Sequence, residues 1–292
     1  MKVLLTGASG QLGSHLREVL PVNGHELLAM DSASLDISSR EQVLTCASDC
    51  PDVIVNAAAY TAVDKAESDV DKAFAVNEVG VRHLVELAKL LNIPLINVST
   101  DYVFDGRASV PYVEDYPVSP LGVYGNSKRA GEALLESSDV LFVNIRTSWV
   151  FSEYGNNFLK TMLRLGCERD SLSVVSDQIG CPTYAGDLAV AINNILFYYS
   201  KNKTLTSGHF HYCGDQQTSW FGFAEYIFSI AKSNRVISMS PQLSPIVTKE
   251  YPTPAIRPLY SVLNTQKIRS TYGCIPSDWK SAANKVIARL AT

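Results

Sequence analysis

The chain has 292 residues, 46% of them hydrophobic and 18% charged, which is enough length and apolar content to bury a full core. A formal net charge of -4 leaves no basic field to hold a polyanion, so a nucleic acid partner is not expected. The opening run Met1-Lys2-Val3-Leu4-Leu5-Thr6-Gly7 is too short for a signal-peptide core, and the most apolar stretch, residues 188–199, falls short of the roughly 20 residues that span a bilayer and carries Asn193 and Asn194, so a cytoplasmic protein without membrane contact is expected.

The first half alternates brief apolar runs with longer amphipathic stretches, the rhythm of βαβ units and a parallel sheet. Residues 2–5, 26–30, 53–56, 95–99 and 140–145 read as strands, and residues 11–20, 40–46, 69–91 and 128–136 as helices with apolar positions recurring every three or four. Beyond residue 145 the rhythm loosens. Segments such as Ser240-Pro241-Gln242-Leu243-Ser244-Pro245 and Tyr251-Pro252-Thr253-Pro254 are turn material, which predicts a smaller, loop-rich lobe. Six cysteines, Cys46, Cys50, Cys167, Cys181, Cys213 and Cys274, are scattered without a CxxC pair and read as reduced thiols. Cys46 and Cys50 lie one helical turn apart, but no His or other Cys lies near them in sequence, so packing is the expected role and no metal site is predicted.

Thr6-Gly7-Ala8-Ser9-Gly10-Gln11-Leu12-Gly13 directly follows the first predicted strand and opens the first helix. In that position Gly7 permits a tight turn, Gly10 lets backbone N–H groups approach a pyrophosphate, and Gly13 allows close packing of helix on strand, so a dinucleotide is implied. The second strand ends at Asp31, which either accepts hydrogen bonds from the adenosine ribose, favouring NADH over NADPH, or caps the turn Asp31-Ser32-Ala33-Ser34. Asp36-Ile37, just beyond, is a candidate adenine contact through an Asx turn. The predicted fold class is therefore α/β, a Rossmann-type doubly wound parallel sheet. Residues 1–148 form the dinucleotide-binding domain, regaining a strand or helix from the second half, and residues 149–292 form mainly the substrate-binding lobe.

Tyr124-Gly125-Asn126-Ser127-Lys128 places a phenol and an ammonium at i and i+4, on one face of a helix. A phenol that ordinarily titrates near 10 works as a proton donor and acceptor near neutrality when a nearby positive charge stabilises its phenolate, and Lys128 is placed to supply that charge. Upstream, Ser99-Thr100-Asp101-Tyr102 closes a predicted central strand at the carboxyl edge, where ligands of open α/β sheets bind, so Thr100 can meet a substrate carbonyl beside Tyr124.

The ordered set of glycine loop, Asp31, Asn56-Ala57-Ala58-Ala59, Thr100 and Tyr124/Lys128 resembles the extended short-chain dehydrogenase/reductase family. Within it, the run from Asp52 to Glu67, Ser99-Thr100-Asp101-Tyr102-Val103-Phe104-Asp105-Gly106, Arg146-Thr147-Ser148-Trp149-Val150-Phe151, Gly155-Asn156-Asn157-Phe158, Asp177-Gln178-Ile179-Gly180-Cys181-Pro182-Thr183 and the segment from Tyr251 to Pro258 are similar to the dTDP-4-dehydrorhamnose reductase group. The resemblance spans nearly the whole chain. It implies NADH or NADPH as cofactor, a dTDP-linked 4-keto-6-deoxy sugar as substrate, and reduction of the 4-keto group with Tyr124 as proton donor and Thr100 and Lys128 as its partners.

Carried over position by position, the resemblance implies cofactor contacts at Gly10, Gln11, Leu12, Asp31, Asp36, Ile37, Ala59, Tyr60, Thr61 and Val98, and substrate contacts at Thr100, Asp101 and Trp149. The Trp149 indole offers a flat apolar face for a thymine base, or is an ordinary core tryptophan. Arg257, between prolines, either aims its guanidinium at the substrate diphosphate or is a solvated loop residue. Some members of the family bridge a dimer with magnesium through a glutamate on the first helix. His15 stands at that position here, so magnesium is not carried over, and a monomer or a homodimer is expected. Sugar-nucleotide epimerases and dehydratases share the cofactor loop, tyrosine and lysine, but Tyr102 stands where a dehydratase has a second acid beside Asp101. A non-catalytic regulatory subunit of the same fold is the remaining alternative, and the intact Thr100, Tyr124 and Lys128 argue against it.

Overall fold

The computed structural model describes residues 1–291. Its first half runs β1 (Lys2–Thr6), α1 (Gln11–Val22), β2 (Glu26–Met30), α2 (Arg40–Thr45), β3 (Val53–Asn56), α3 (Val63–Ala66), α4 (Val70–Phe74), a π-helical turn (Ala75–Val79), α5 (Gly80–Leu91), β4 (Leu95–Thr100), α6 (Val123–Glu136) and β5 (Phe142–Thr147). The second half continues with β6 (Val150–Phe151), α7 (Phe158–Glu168), β7 (Ser171–Val175), β8 (Ile179–Gly180), β9 (Thr183–Tyr184), α8 (Ala185–Asn202), β10 (Gly208–His211), β11 (Thr218–Ser219), α9 (Trp220–Ser233), β12 (Gln242–Ile246), α10 (Gln266–Tyr272) and α11 (Trp279–Leu290).

Six parallel strands form the main sheet in the order β10-β5-β4-β3-β1-β2. The order reverses at β1, so the crevice at the carboxyl ends of β1 and β3 is where a ligand of such a sheet binds. The strands are apolar on both sides because both faces are covered. Val3, Leu5, Val55 and Ile145 pack with Leu12, Leu16 and Leu20 of α1 and with Leu188, Ile192 and Ile195 of α8. On the other face, Leu4, Ile54 and Leu95 pack with Val43 of α2, Leu84 and Leu87 of α5 and Leu135 of α6. A third cluster belongs to the second half: Leu159 and Met162 of α7, Phe223 and Ile227 of α9, and Trp279, Val286 and Ile287 of α11.

Two differences from the expected elements bear on function. The helix expected over residues 69–91 is interrupted by the π turn, and the extra residue pushes Asn77 inward, where it is 1% exposed. Its amide accepts from the Tyr60 N–H (2.9 Å) and donates to the Tyr60 carbonyl (3.1 Å) and to Ser127 Oγ (3.0 Å), fixing the loop after β3 against α6. Helix α6 begins at Val123, ahead of the Lys128 start that local periodicity suggested, so Tyr124 lies in its first turn. The cap is supplied from a distance: Glu67 Oε1 accepts the Val123 N–H at 2.8 Å. Among the described residues, no helix is long and apolar enough to cross a membrane, and all six cysteines are free.

Candidate active site

A cavity of about 620 Å³ opens at the carboxyl ends of β1, β3 and β4. Gly7 takes φ +70°, and a Cβ there would sit 2.5 Å from the Ala58 nitrogen, so only glycine makes this turn. A Cβ on Gly13 would fall 2.1 Å from the Gly7 carbonyl oxygen, which makes Gly13 a packing residue beneath the loop. Gly10 caps α1 with extended backbone and lines the cavity with no side chain between it and the first turn of the helix. Orphan N–H groups at a bare helix N-terminus are a cradle for a pyrophosphate, so these residues fit a dinucleotide.

Of the residues expected to hold the cofactor, Gly7, Gly10, Gln11, Leu12, Asp36, Ile37, Ala59, Tyr60, Thr61, Val98, Tyr124 and Lys128 line this one cavity. Asp36 Oδ1 accepts from the N–H and hydroxyl of Ser38 (2.9 and 2.7 Å), forming the anticipated Asx turn. Asp31 stands differently. Its Oδ1 accepts from the N–H groups of Ala33 and Ser34 and from the Ser34 hydroxyl, at 3.0 to 3.1 Å, and these bonds hold its carboxyl below the usual range. That engages Asp31 as the cap of the turn, and Ser32, Leu35 and Asp36 form the wall beyond the second strand. Sequence reasoning missed Lys72 on α4, Thr147 on β5 and Asn156, which also line the cavity. Gln11 is fixed across it, accepting from Asn157 Nδ2 at 3.0 Å. Thr147 and Asn156 lie in segments that carry the resemblance, but only the fold brings them to the cavity with Lys72, since the three arrive from separate elements.

The side chains expected to react converge at the end of β4. Thr100, 4% exposed, donates its hydroxyl to Asp101 Oδ1 (3.0 Å), accepts the Tyr102 N–H (3.2 Å) and lies within hydrogen-bonding reach of the Tyr124 phenol. Burial pushes that phenol up to about 12, eased by the Thr100 bond and reinforced by the Asp101 charge. Asp101 is itself pushed up to about 6 by burial, against hydrogen bonds from Ser261 and Thr100. The Lys128 ammonium, expected beside the phenol, donates to the Val98 carbonyl at 2.7 Å. Burial pulls Lys128 down to about 8, opposed by the charge of Glu132. The Tyr102 ring meets Tyr124 edge to face, with centroids 5.5 Å apart.

A second cavity of about 890 Å³ lies in the second half, between α7, β7 and the segment 246–257. Trp149 has φ +50°, a left-handed conformation, and stacks on Trp220 with centroids 3.5 Å apart and planes 6° from parallel. One face of the Trp149 indole is thus already covered, and it is Trp220, unmarked by any sequence motif, that lines the cavity together with Phe158, Gln178 and Tyr251. Arg257 reaches this cavity, but it is no free guanidinium: its Nη2 pairs with Asp64 Oδ2 at 2.7 Å. An arginine in a proline-rich loop needs such an anchor to hold one geometry.

His15 of α1 is 3% exposed. Its Nε2 lies 2.9 Å from Ser152 Oγ and 3.4 Å from Glu153 Oε2, and the rings of Tyr154 and Tyr184 flank it. Burial lowers its pKa, opposed by Glu153 and Glu18.

The family model described as the RmlD substrate binding domain matches residues 1–292. The chain is 45% identical over 289 residues to a dTDP-4-dehydrorhamnose reductase of Aggregatibacter actinomycetemcomitans, covering 98% of each. Its fold superposes on the crystal structure of a dTDP-4-dehydrorhamnose reductase ortholog from Clostridium acetobutylicum with a TM-score of 0.92 at 35% identity, covering 100% of both chains. A dTDP-4-dehydrorhamnose reductase of Bacillus anthracis, solved in complex with NADP, gives 0.90 at 38% identity over 99% of both. The chain belongs to the RmlD substrate binding domain family, among the dTDP-4-dehydrorhamnose reductases.

Proposed function

We propose that this chain is an NAD(P)H-dependent oxidoreductase that reduces the 4-keto group of dTDP-4-dehydro-L-rhamnose to give dTDP-L-rhamnose, in deoxysugar and cell-surface polysaccharide biosynthesis. The observation that carries the reading is the placement of Tyr124 and Lys128 in the wall of the cavity that holds the glycine cradle, with Thr100 beside Tyr124 at the carboxyl end of β4. Residues 149–292 mainly supply the lobe that takes the sugar nucleotide, with Trp149, Trp220 and Arg257 around it. The protein acts in the cytoplasm as a monomer or a homodimer.

When bound, the reduced nicotinamide supplies the hydride. Tyr124, kept protonated by burial, donates its proton to the oxygen that gains negative charge. Thr100 carries one hydroxyl proton, which it gives to Asp101 in the free protein; turning it to the substrate carbonyl orients that carbonyl beside Tyr124. Lys128, held by the Val98 carbonyl, would hold the ribose of the bound cofactor. The test offers the purified protein a 4-keto-6-deoxy sugar nucleotide, with and without a 3,5-epimerase, together with NADH or NADPH. Consumption of reduced cofactor with formation of the L-rhamnose product is the expected result. Binding of both ligands without turnover sinks the reading in favour of a regulatory subunit.

A further inference from the structure

Behind the reacting helix, a chain of buried side chains crosses the sheet. Thr6, Asn56, Asn97 and Asn144 occupy paired register positions on β1, β3, β4 and β5. Thr6 Oγ1 donates to Asn56 Oδ1 (2.6 Å), Asn56 Nδ2 to Asn97 Oδ1 (2.7 Å), Asn97 Nδ2 to Asn144 Oδ1 (2.7 Å), and Asn144 Nδ2 to Glu132 Oε1 (3.0 Å). Every donor in the chain points the same way, toward the carboxylate, so the bonds polarise one another. Arg146 clasps that carboxylate from the other side, Nε to Oε1 at 3.0 Å and Nη2 to Oε2 at 2.8 Å. All six side chains are 2% exposed or less.

A buried network of this kind costs desolvation that an apolar core would avoid, and the Arg146 pair alone would satisfy Glu132. Its placement gives it a task. Glu132 lies at i+4 from Lys128 on α6, and both side chains are buried. We propose that Glu132 is a positioning residue for Lys128: the amide chain and Arg146 hold its carboxylate one turn beyond the ammonium, so that Lys128 stays charged and aligned for the nicotinamide cofactor at neutral pH.

Burial alone discharges an isolated ammonium, and the attraction of Glu132 is the force that opposes this at Lys128. The other titratable groups around α6 act elsewhere or through Glu132. Asp101, after β4, acts on Tyr124. Glu67 caps Val123, and Lys72 of α4 lines the cavity. Arg146 of β5 and His209 of β10 both act on Glu132, and Arg129 lies 3.9 Å from it. Removing the Glu132 charge leaves Lys128 and Arg146 as two buried cations with no anion between them.

The inference rests on the reading of Lys128 as a cofactor-binding group, and the test separates the two. NADPH affinity is followed by energy transfer from tryptophan as pH is raised, for the wild type, Glu132→Gln and the double variant Glu132→Gln/Arg146→Met. The double variant removes the stranded arginine, a replacement that buried pairs tolerate, so it serves as the test if the single variant loses the fold. Wild-type affinity falls as pH passes about 8. In the variants the fall comes about one pH unit earlier, which reads as roughly tenfold weaker binding on the alkaline side, and the kcat profile moves with it. A merely structural Glu132 would lower thermal stability and leave the midpoint in place. A midpoint within about 0.3 of wild type in a folded variant overturns the proposal. A wild type whose binding does not weaken with pH overturns it together with the Lys128 assignment. A shifted midpoint in a protein that never turns over the keto sugar leaves Glu132 standing and sinks the reductase reading alone.

Discussion

The Lys128 ammonium donates a 2.7 Å hydrogen bond to the main-chain carbonyl of Val98, the strand residue two places before Thr100. Phenol and ammonium rise from one helical turn, yet in the free protein each has its own partner on or beside β4. Lys128 therefore separates from Tyr124 in what its loss should do. Lys128→Met is expected to weaken binding of NADH and NADPH and also to lower kcat, because the group sits in the cofactor cavity. Fluorescence titration and steady-state kinetics on one preparation check both arms, and unchanged cofactor affinity would remove Lys128 from the ribose.

Tyr124→Phe should behave otherwise. The ring and its edge-to-face contact with Tyr102 remain, and only the transferable proton is lost. General acid catalysis is worth about 10²- to 10⁴-fold, so kcat should fall by at least that order with cofactor affinity nearly intact. A variant that keeps more than roughly a tenth of the wild-type rate shows that the proton comes from elsewhere.

Asp31→Ala is expected to weaken NADH and NADPH by similar factors, because the carboxylate caps its own turn through Ala33 and Ser34. Michaelis constants for both cofactors give the answer. A loss confined to NADH would show that Asp31 reaches the ribose as well.

Asp101 sets a pH dependence of stability. Its carboxyl rises from 3.8 to about 6 on folding, so across that window the native chain binds more protons than the unfolded chain, and stability falls as pH rises through it. Asp101→Asn removes the buried charge and should be more stable than wild type at pH 7, by up to about 3 kcal/mol, with the difference closing below about pH 4. Urea titrations at both pH values test the sign. A variant less stable than wild type at pH 7 contradicts it.

Magnesium should leave the association state unchanged. On the first helix, His15 is a buried imidazole bonded to Ser152 rather than a carboxylate, and burial keeps it neutral. Sedimentation with magnesium and with chelator should give one and the same mass; a chelator-dependent change would place the metal at another carboxylate.

Much of this site was legible because its signals are local. The strands at 26–30 and 53–56 are short apolar runs closed by turn residues and lie as the sequence suggested. The glycine positions follow from turn geometry, and Tyr124 and Lys128 from helical spacing. What stayed hidden depends on partners far along the chain. The start of α6 needs Glu67, which local periodicity cannot contain. Trp220 matters only once it meets Trp149, and the restraint on Arg257 only once α3 brings Asp64 to it. The Val98 carbonyl that holds Lys128 enters from β4 and could not be read from the spacing of Tyr124 and Lys128.

The strand β10 completes the sheet from the second half of the chain, pairing Gly208–His211 with Val143–Arg146. During synthesis the first half of the chain therefore emerges with the edge of β5 unpaired until the segment beyond residue 200 has been made. A bare, apolar strand edge is a template for pairing with a neighbouring chain. Nascent chains stalled before β10 should accordingly be the aggregation-prone species, and the second half of the chain acts as the stopper that makes the first half safe to fold.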